Sequence, residues 1–241
     1  MPTDAASVEL VRRLRGLNLY LVGMMGAGKS AVGRPLARAL GYRFIDADAA
    51  LERSTGRPIA QIFAADGEEG FRDLETAVLD QLAQWHSLVV ATGGGVVTRP
   101  VNWGHLRQGV VIWLDAPEEV LLQRLRADAT PRPLLADPDP AGRLRDLLEQ
   151  RRPLYAQADL HVSQATESPE GVASRVVEAL PALLREDNPQ PPLEGIRLRH
   201  ADGGRVSSLN ASAGETGAEH GGESTHASTS RAESGQGGSE L

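Results

Sequence analysis

Residues Gly23-Met24-Met25-Gly26-Ala27-Gly28-Lys29-Ser30 match the pattern G-x-x-x-x-G-K-[ST] in full. No other stretch constrains the fold as tightly, because this pattern works only as a loop between a buried strand and a helix. Its glycines let the backbone curl, so that successive N–H groups point inward as an anion nest. The following helix turns its positive N-terminal end on the same anion. In that geometry Lys29 reaches the β- and γ-phosphates of a nucleoside triphosphate, and the Ser30 hydroxyl ligates Mg²⁺. The flanks fit the requirement. Leu17 to Val22 reads as a buried strand, and Lys29 to Leu40 as a helix closed by Gly41. Pro35 lies inside that helix, where it removes a backbone donor and is expected to bend the helix or cost stability.

Composition sharpens the reading of one residue. Of the 25 basic residues, all but one are arginine, and the exception is Lys29. A compact ammonium and a planar guanidinium are not interchangeable where geometry is tight. The remaining composition works by exclusion. There is no cysteine, which removes disulfides, thiolate metal sites and cysteine catalysis. A formal charge of −7 argues against nucleic acid as a partner. No apolar run approaches the ~20 residues of a membrane span. No basic start leads into an apolar stretch, so no signal peptide is expected and the location is read as cytoplasmic.

Along the chain, strands and helices alternate. Residues 4–15 read as a short amphipathic helix. Strands are expected at Arg43 to Ile45, Leu88 to Ala91, Val110 to Leu114 and Leu160 to Val162. Residues 49–84 are helical in pieces, broken near Gly56-Arg57-Pro58 and Asp66-Gly67. Further helices are expected at 100–107, Glu118 to Arg126, Ala141 to Gln150 and Pro169 to Leu184. Such alternation predicts an α/β three-layer sandwich with a five-stranded parallel sheet covered on both faces. Residues 127–140 hold four prolines and read as a mobile lid. The expected organisation is an N-terminal helical extension over 1–16, a domain over 17–185 and a disordered polar tail over 186–241. The tail is too polar to offset its ordering entropy.

Three constellations bear on what would accept a phosphoryl group. Asp46 and Asp48 follow a strand at the edge where open α/β sheets bind ligands. One acid can hold the Mg²⁺ shell through water while the other takes a proton from an attacking hydroxyl. Alternatively they are a helix N-cap and an acidic first turn. Gly93-Gly94-Gly95 follows the third strand, where backbone can touch a small ligand, or simply turn. Arg72, Arg132 and Arg151 stand where forked donors would meet carboxylates or phosphates, although arginine on a surface is usually just solvated.

Taken together these residues resemble the shikimate kinase family of small P-loop kinases. The carriers are residues 23–34, Asp46 to Asp48, Gly67 to Glu75, Gly93 to Gly95, Arg132 to Leu135 and Arg151 to Tyr155, spread over about residues 17–184. The resemblance implies transfer of the γ-phosphoryl group of ATP to the 3-hydroxyl of shikimate, in aromatic amino acid biosynthesis, by a monomer. It implies nucleotide contacts from Gly26, Ala27, Gly28, Lys29, Ser30 and Ala31. Lys29, Asp48 and Arg132 would be catalytic, with Arg132 swinging onto the phosphates from the lid. Ser30, and Asp46 through water, would hold Mg²⁺. Asp48, Arg72, Gly94 and Arg151 would bind shikimate, with Glu75 steadying Arg72. Either Arg124 or Arg126 would stack on adenine. Ala31, where the family often has threonine, and Pro35 depart from the pattern. The tail has no counterpart in the family's core.

Overall fold

Among the described residues five stretches form strands: β1 Leu19–Val22, β2 Arg43–Asp46, β3 Leu88–Ala91, β4 Val110–Asp115 and β5 Leu160–Ser163. The computed structural model describes residues 5–128 and 138–184. All pairings are parallel, in the order β2-β3-β1-β4-β5. Parallel neighbours cannot be joined by a tight turn, so helical crossovers connect them. The helices are α1 Ala5–Leu14, α2 Lys29–Leu40, α3 Ala47–Thr55, α4 Ile59–Ala83, α5 Pro100–Leu106, α6 Glu118–Ala127, α7 Pro140–Tyr155 and α8 Pro169–Leu183.

Successive side chains of a strand point to opposite faces, and β1 uses this to build two cores. Leu19 and Leu21 enter one cluster with Leu36 and Leu40 of α2 and Val176 and Leu180 of α8. Tyr20 and Val22 enter the other with Leu79 of α4, Trp103 of α5 and Tyr155 of α7. The sheet is therefore the middle of three layers, as expected. The α1 helix is anchored rather than loose: Leu10 and Leu14 are buried in the first cluster, and Arg13 donates to the Leu184 carbonyl at 2.8 Å.

Strand order decides what the site contains. Because β3 lies between β2 and β1, the loop after β3 sits between the residues that leave β2 and those that leave β1. The phosphate loop, Asp46 and Gly93–Gly95 thus gather at one edge, although they are far apart in sequence.

Several boundaries differ from expectation for identifiable reasons. The first strand begins at Leu19, because Leu17 remains 38% exposed while the Asn18 side chain takes over pairing. Asn18 Nδ2 donates to the carbonyl of Trp85 at 2.8 Å, and its Oδ1 accepts from Leu88 N at 3.0 Å. The expected break at Asp66-Gly67 is a kink inside α4, with Gly67 at φ 70°. α2 runs through Pro35, whose ring is buried beside Ala173 and Val177 of α8. Burial of that ring offsets part of the lost helix bond. α7 continues past Gln150 to Tyr155, through the exposed Pro153. Most of the expected lid and all of the expected tail lie outside the described residues.

Asn18 closes the edge of the sheet remote from the phosphate loop. Replacing it by leucine strands the Leu88 N–H and the Trp85 carbonyl without the partners Asn18 gives them. Denaturant unfolding of Asn18→Leu is expected to show a loss of about 2–4 kcal/mol, with kcat unchanged. A loss below about 0.5 kcal/mol would contradict this role.

Candidate active site

The phosphate loop has the curl its glycines permit, with Gly23, Gly26 and Gly28 at φ 140°, 80° and 86°. A Cβ on Gly23 would lie 2.4 Å from the Leu114 carbonyl oxygen, so no other residue fits there. Lys29 Nζ donates back to the carbonyls of Gly23 at 2.9 Å and Met24 at 3.1 Å. The ammonium therefore sits over the cradle, where a planar fork would overreach. Gly26, Gly28, Lys29, Ser30 and Ala31 line a cavity of about 320 Å³, and Ala27 is fully buried behind it.

Arg124 braces this cradle from outside. It donates to the carbonyls of Gly26 at 3.3 Å and Ala165 at 3.0 Å. Gln164, which belongs to no sequence motif, donates to the Ala27 carbonyl. Of the two arginines left open, Arg124 lines the phosphate cavity, whereas Arg126 is exposed and is not among its lining residues.

Asp46 is the N-cap of α3, and its second oxygen faces the phosphate loop. Its Oδ1 caps α3 by accepting from Ala49 N at 3.2 Å. Its Oδ2 accepts from Ser30 Oγ at 2.5 Å. The pair presents a hydroxyl and a carboxylate, hard oxygen donors of the kind Mg²⁺ prefers. Among the described residues no group of three or more His, Cys, Asp or Glu could cage a metal. Two protein donors with the rest from phosphate and water are the usual arrangement for Mg²⁺, so the residues present fit it.

Next to the cradle lies a second cavity of about 470 Å³. Met25, Ser30, Asp46, Asp48 and Gly94 line both. Asp48, in the first turn of α3, thus stands where the two spaces meet. Phe63 and Phe71, stacked at 4.6 Å between centroids, form part of the second cavity's wall. Arg72 and Arg151 reach it from α4 and α7.

The two arginines are held differently. Arg72 donates to Thr98 Oγ1 at 2.5 Å and to the Gly95 carbonyl at 3.3 Å, and it pairs with Glu68 one turn back. The hydrogen bonds that steady Arg72 come from Glu68 and Thr98, while Glu75, expected in that role, acts on it by charge alone. Glu75 is 5% exposed and its Oε1 has no hydrogen-bond partner. Arg151 is only 3% exposed, and one of its terminal nitrogens also lacks a partner. An ideal Cβ on Gly94 would lie 3.7 Å from that nitrogen and 3.4 Å from Met25 N. The glycine loop therefore brings backbone between the phosphate loop and the arginine. Arg132 lies outside the described residues.

Burial, and then the Asp48 carboxylate, push Glu75 up to about 7 against the pull of Arg72, Arg151 and Arg99. A carboxyl raised in this way binds its proton more tightly when folded than when unfolded. Its contribution to stability is present below pH 4.5 and is lost as pH rises through about 7. Glu75→Gln removes that titration. Relative to the parent, the variant should gain about 2–3 kcal/mol between pH 5 and pH 8.5 in unfolding without substrates. A parallel pH dependence for both proteins would contradict the shift.

A parallel sheet ordered 2-3-1-4-5, a phosphate cradle after its first strand and an arginine-bearing cavity beside that cradle define a P-loop kinase for a small anionic acceptor. A family model described as shikimate kinase matches residues 25–181. A shikimate kinase of Synechococcus sp. (strain RCC307) is 63% identical over 184 residues, covering 76% of this chain and 94% of that protein. One of Synechococcus elongatus is 50% identical over 188 residues, covering 78% and 98%. The solved shikimate kinase from Acinetobacter baumannii in complex with shikimate is 41% identical, with a TM-score of 0.69, covering 72% of this chain and 97% of that one. The chain belongs to the shikimate kinase family, and its reaction is the ATP-dependent phosphorylation of shikimate.

Proposed function

We propose that the two cavities divide this reaction, the cradle holding ATP and the neighbouring space holding shikimate with its 3-hydroxyl toward Asp48. The observation that carries the division is the buried Arg151 guanidinium with an unpartnered nitrogen. A buried cation short of partners is costly by itself. A substrate carboxylate received by Arg151 and Arg72 offsets that cost with forked, charge-assisted hydrogen bonds. Gly94 contributes backbone to the ring hydroxyls.

Gly26, Ala27, Gly28, Lys29, Ser30 and Ala31 hold the nucleotide, and Arg124 lies nearest the space for its base. Ser30, and Asp46 through water, hold Mg²⁺, which when bound withdraws charge from the phosphate oxygens. Asp48 orients the 3-hydroxyl and takes its proton as the oxygen attacks the γ-phosphorus and the bond to the β–γ bridging oxygen breaks. Shikimate 3-phosphate and ADP are the products, within aromatic amino acid biosynthesis. Lys29 and Arg132 stabilise the charge on the transferring group. Arg132 is assigned by its motif alone, and closure of a lid over 127–140 would exclude water as a competing acceptor. The working unit is a monomer, since one chain supplies both cavities. It consists of a kinase domain over 17–185, preceded by residues 1–16 and followed by a tail that takes no part in catalysis. The location is cytoplasmic; among the described residues no helix is long and apolar enough to cross a membrane.

Coupled measurement of ADP release should show turnover only when shikimate is present. Asp48→Asn should bind ADP normally and lose about 10²–10⁴-fold in kcat. Near-parental turnover in that variant would reject Asp48 as the group that handles the proton.

A further inference from the structure

Tyr155 ends α7 and is fully buried. Its hydroxyl donates to the Gly94 carbonyl at 2.5 Å. It stands four residues after Arg151, so the two side chains share one helix face. Burial pushes the phenol up to about 12, against the opposing influence of the adjacent Arg151 cation. The hydroxyl is therefore a donor at every working pH, and the Gly94 carbonyl receives its proton. On the far side the Tyr155 ring packs against Trp113, with centroids 6.0 Å apart, and Trp113 packs against His161 at 4.1 Å. The phenol is thus clamped by the sheet behind it, with its polar tip touching the acceptor cavity's backbone from below.

We propose that the Tyr155 hydroxyl is a positioning group for the acceptor. It fixes the Gly94 carbonyl relative to the Arg151 guanidinium, so that the substrate's ring hydroxyls and carboxylate are met at a single spacing. The inference rests on reading Arg151 as a carboxylate donor. Gly94 has no side chain to hold it in place, and one guanidinium nitrogen of Arg151 has no partner. Without the phenol O–H, neither side of the acceptor space is referenced to the other. Tyr155 does not line the phosphate cradle and meets it only through Gly94, so its loss should fall on the acceptor before the nucleotide.

Tyr155→Phe keeps the ring, its burial and its stacking, and removes only the hydroxyl. The shikimate KM should rise about tenfold, with kcat within about threefold and the ATP KM unchanged. Arg151→Lys should raise the shikimate KM by itself, because a point charge cannot make the forked contact. Combining both changes should add little to the larger single effect, since Tyr155 hydrogen-bonds both the Gly94 carbonyl and Arg151 and either change breaks that one alignment. A shikimate KM within twofold of the parent in Tyr155→Phe, with Arg151→Lys still impaired, would overturn the role of Tyr155 and leave Arg151 in place. No effect from either change would remove the Arg151 reading as well. Equal weakening of ATP and shikimate, or simple multiplication in the double variant, would mark Tyr155 as a support of the fold alone.

Discussion

The Asp46 carboxylate joins the two halves of the site. One oxygen accepts from Ser30, at the start of the helix that follows the phosphate loop. The other caps α3, the helix that carries Asp48 into the acceptor cavity. The position of Asp48 is therefore set by the same carboxylate that holds the Ser30 hydroxyl. This depends on strand order. β2 and β1 are separated only by β3, so their C-terminal ends lie close enough for a carboxylate and a hydroxyl to meet. A side chain at Gly93 would lie 2.1 Å from Glu75 Oε1 and 3.2 Å from Asp48 Oδ1.

Beyond that link the acceptor cavity is an electrostatic compromise. Two carboxyl groups, Asp48 and Glu75, face two guanidinium groups, Arg72 and Arg151, within a largely buried space. Arg72 is well satisfied by Thr98, Gly95 and Glu68. Arg151 and Glu75 each keep a buried atom without a hydrogen-bond partner. Unmade hydrogen bonds of this kind are expensive in a finished core and common where a ligand completes the set. Under the proposed role of Arg151, the stability forgone becomes a source of binding energy and of discrimination, since an acceptor without a carboxylate would leave Arg151 as it was.

Much of this was legible in the sequence. The phosphate loop is local: eight consecutive residues dictate its curl, and the strand before it and helix after it follow from simple periodicity. The lone lysine was informative for a geometric reason now visible, because its ammonium folds back onto two carbonyls at about 3 Å. The sheet's composition and parallel sense followed from alternation. What escaped notice depends on tertiary proximity. Glu68 rather than Glu75 pairs with Arg72, because both lie within reach along a helix and only packing chooses between them. Gln164 and Thr98 act on backbone and side chains distant in sequence. α7 runs through an arginine–proline stretch at which the sequence pattern stops, so the pattern alone hides that Arg151 and Tyr155 stand one turn apart on a single face. Pro35 reads as a defect in isolation and as part of a helix interface in the fold.

A two-sided site of this kind is tested most directly by binding, ahead of any chemistry. Titration calorimetry on the chain loaded with Mg²⁺ and ADP should compare shikimate with its analogue in which the carboxylate is replaced by a hydroxymethyl group. If Arg151 and Arg72 read the carboxylate, the analogue should bind at least about a hundredfold more weakly. Affinities equal within about twofold would mean that the buried guanidinium serves the fold and that the acceptor is held by other groups.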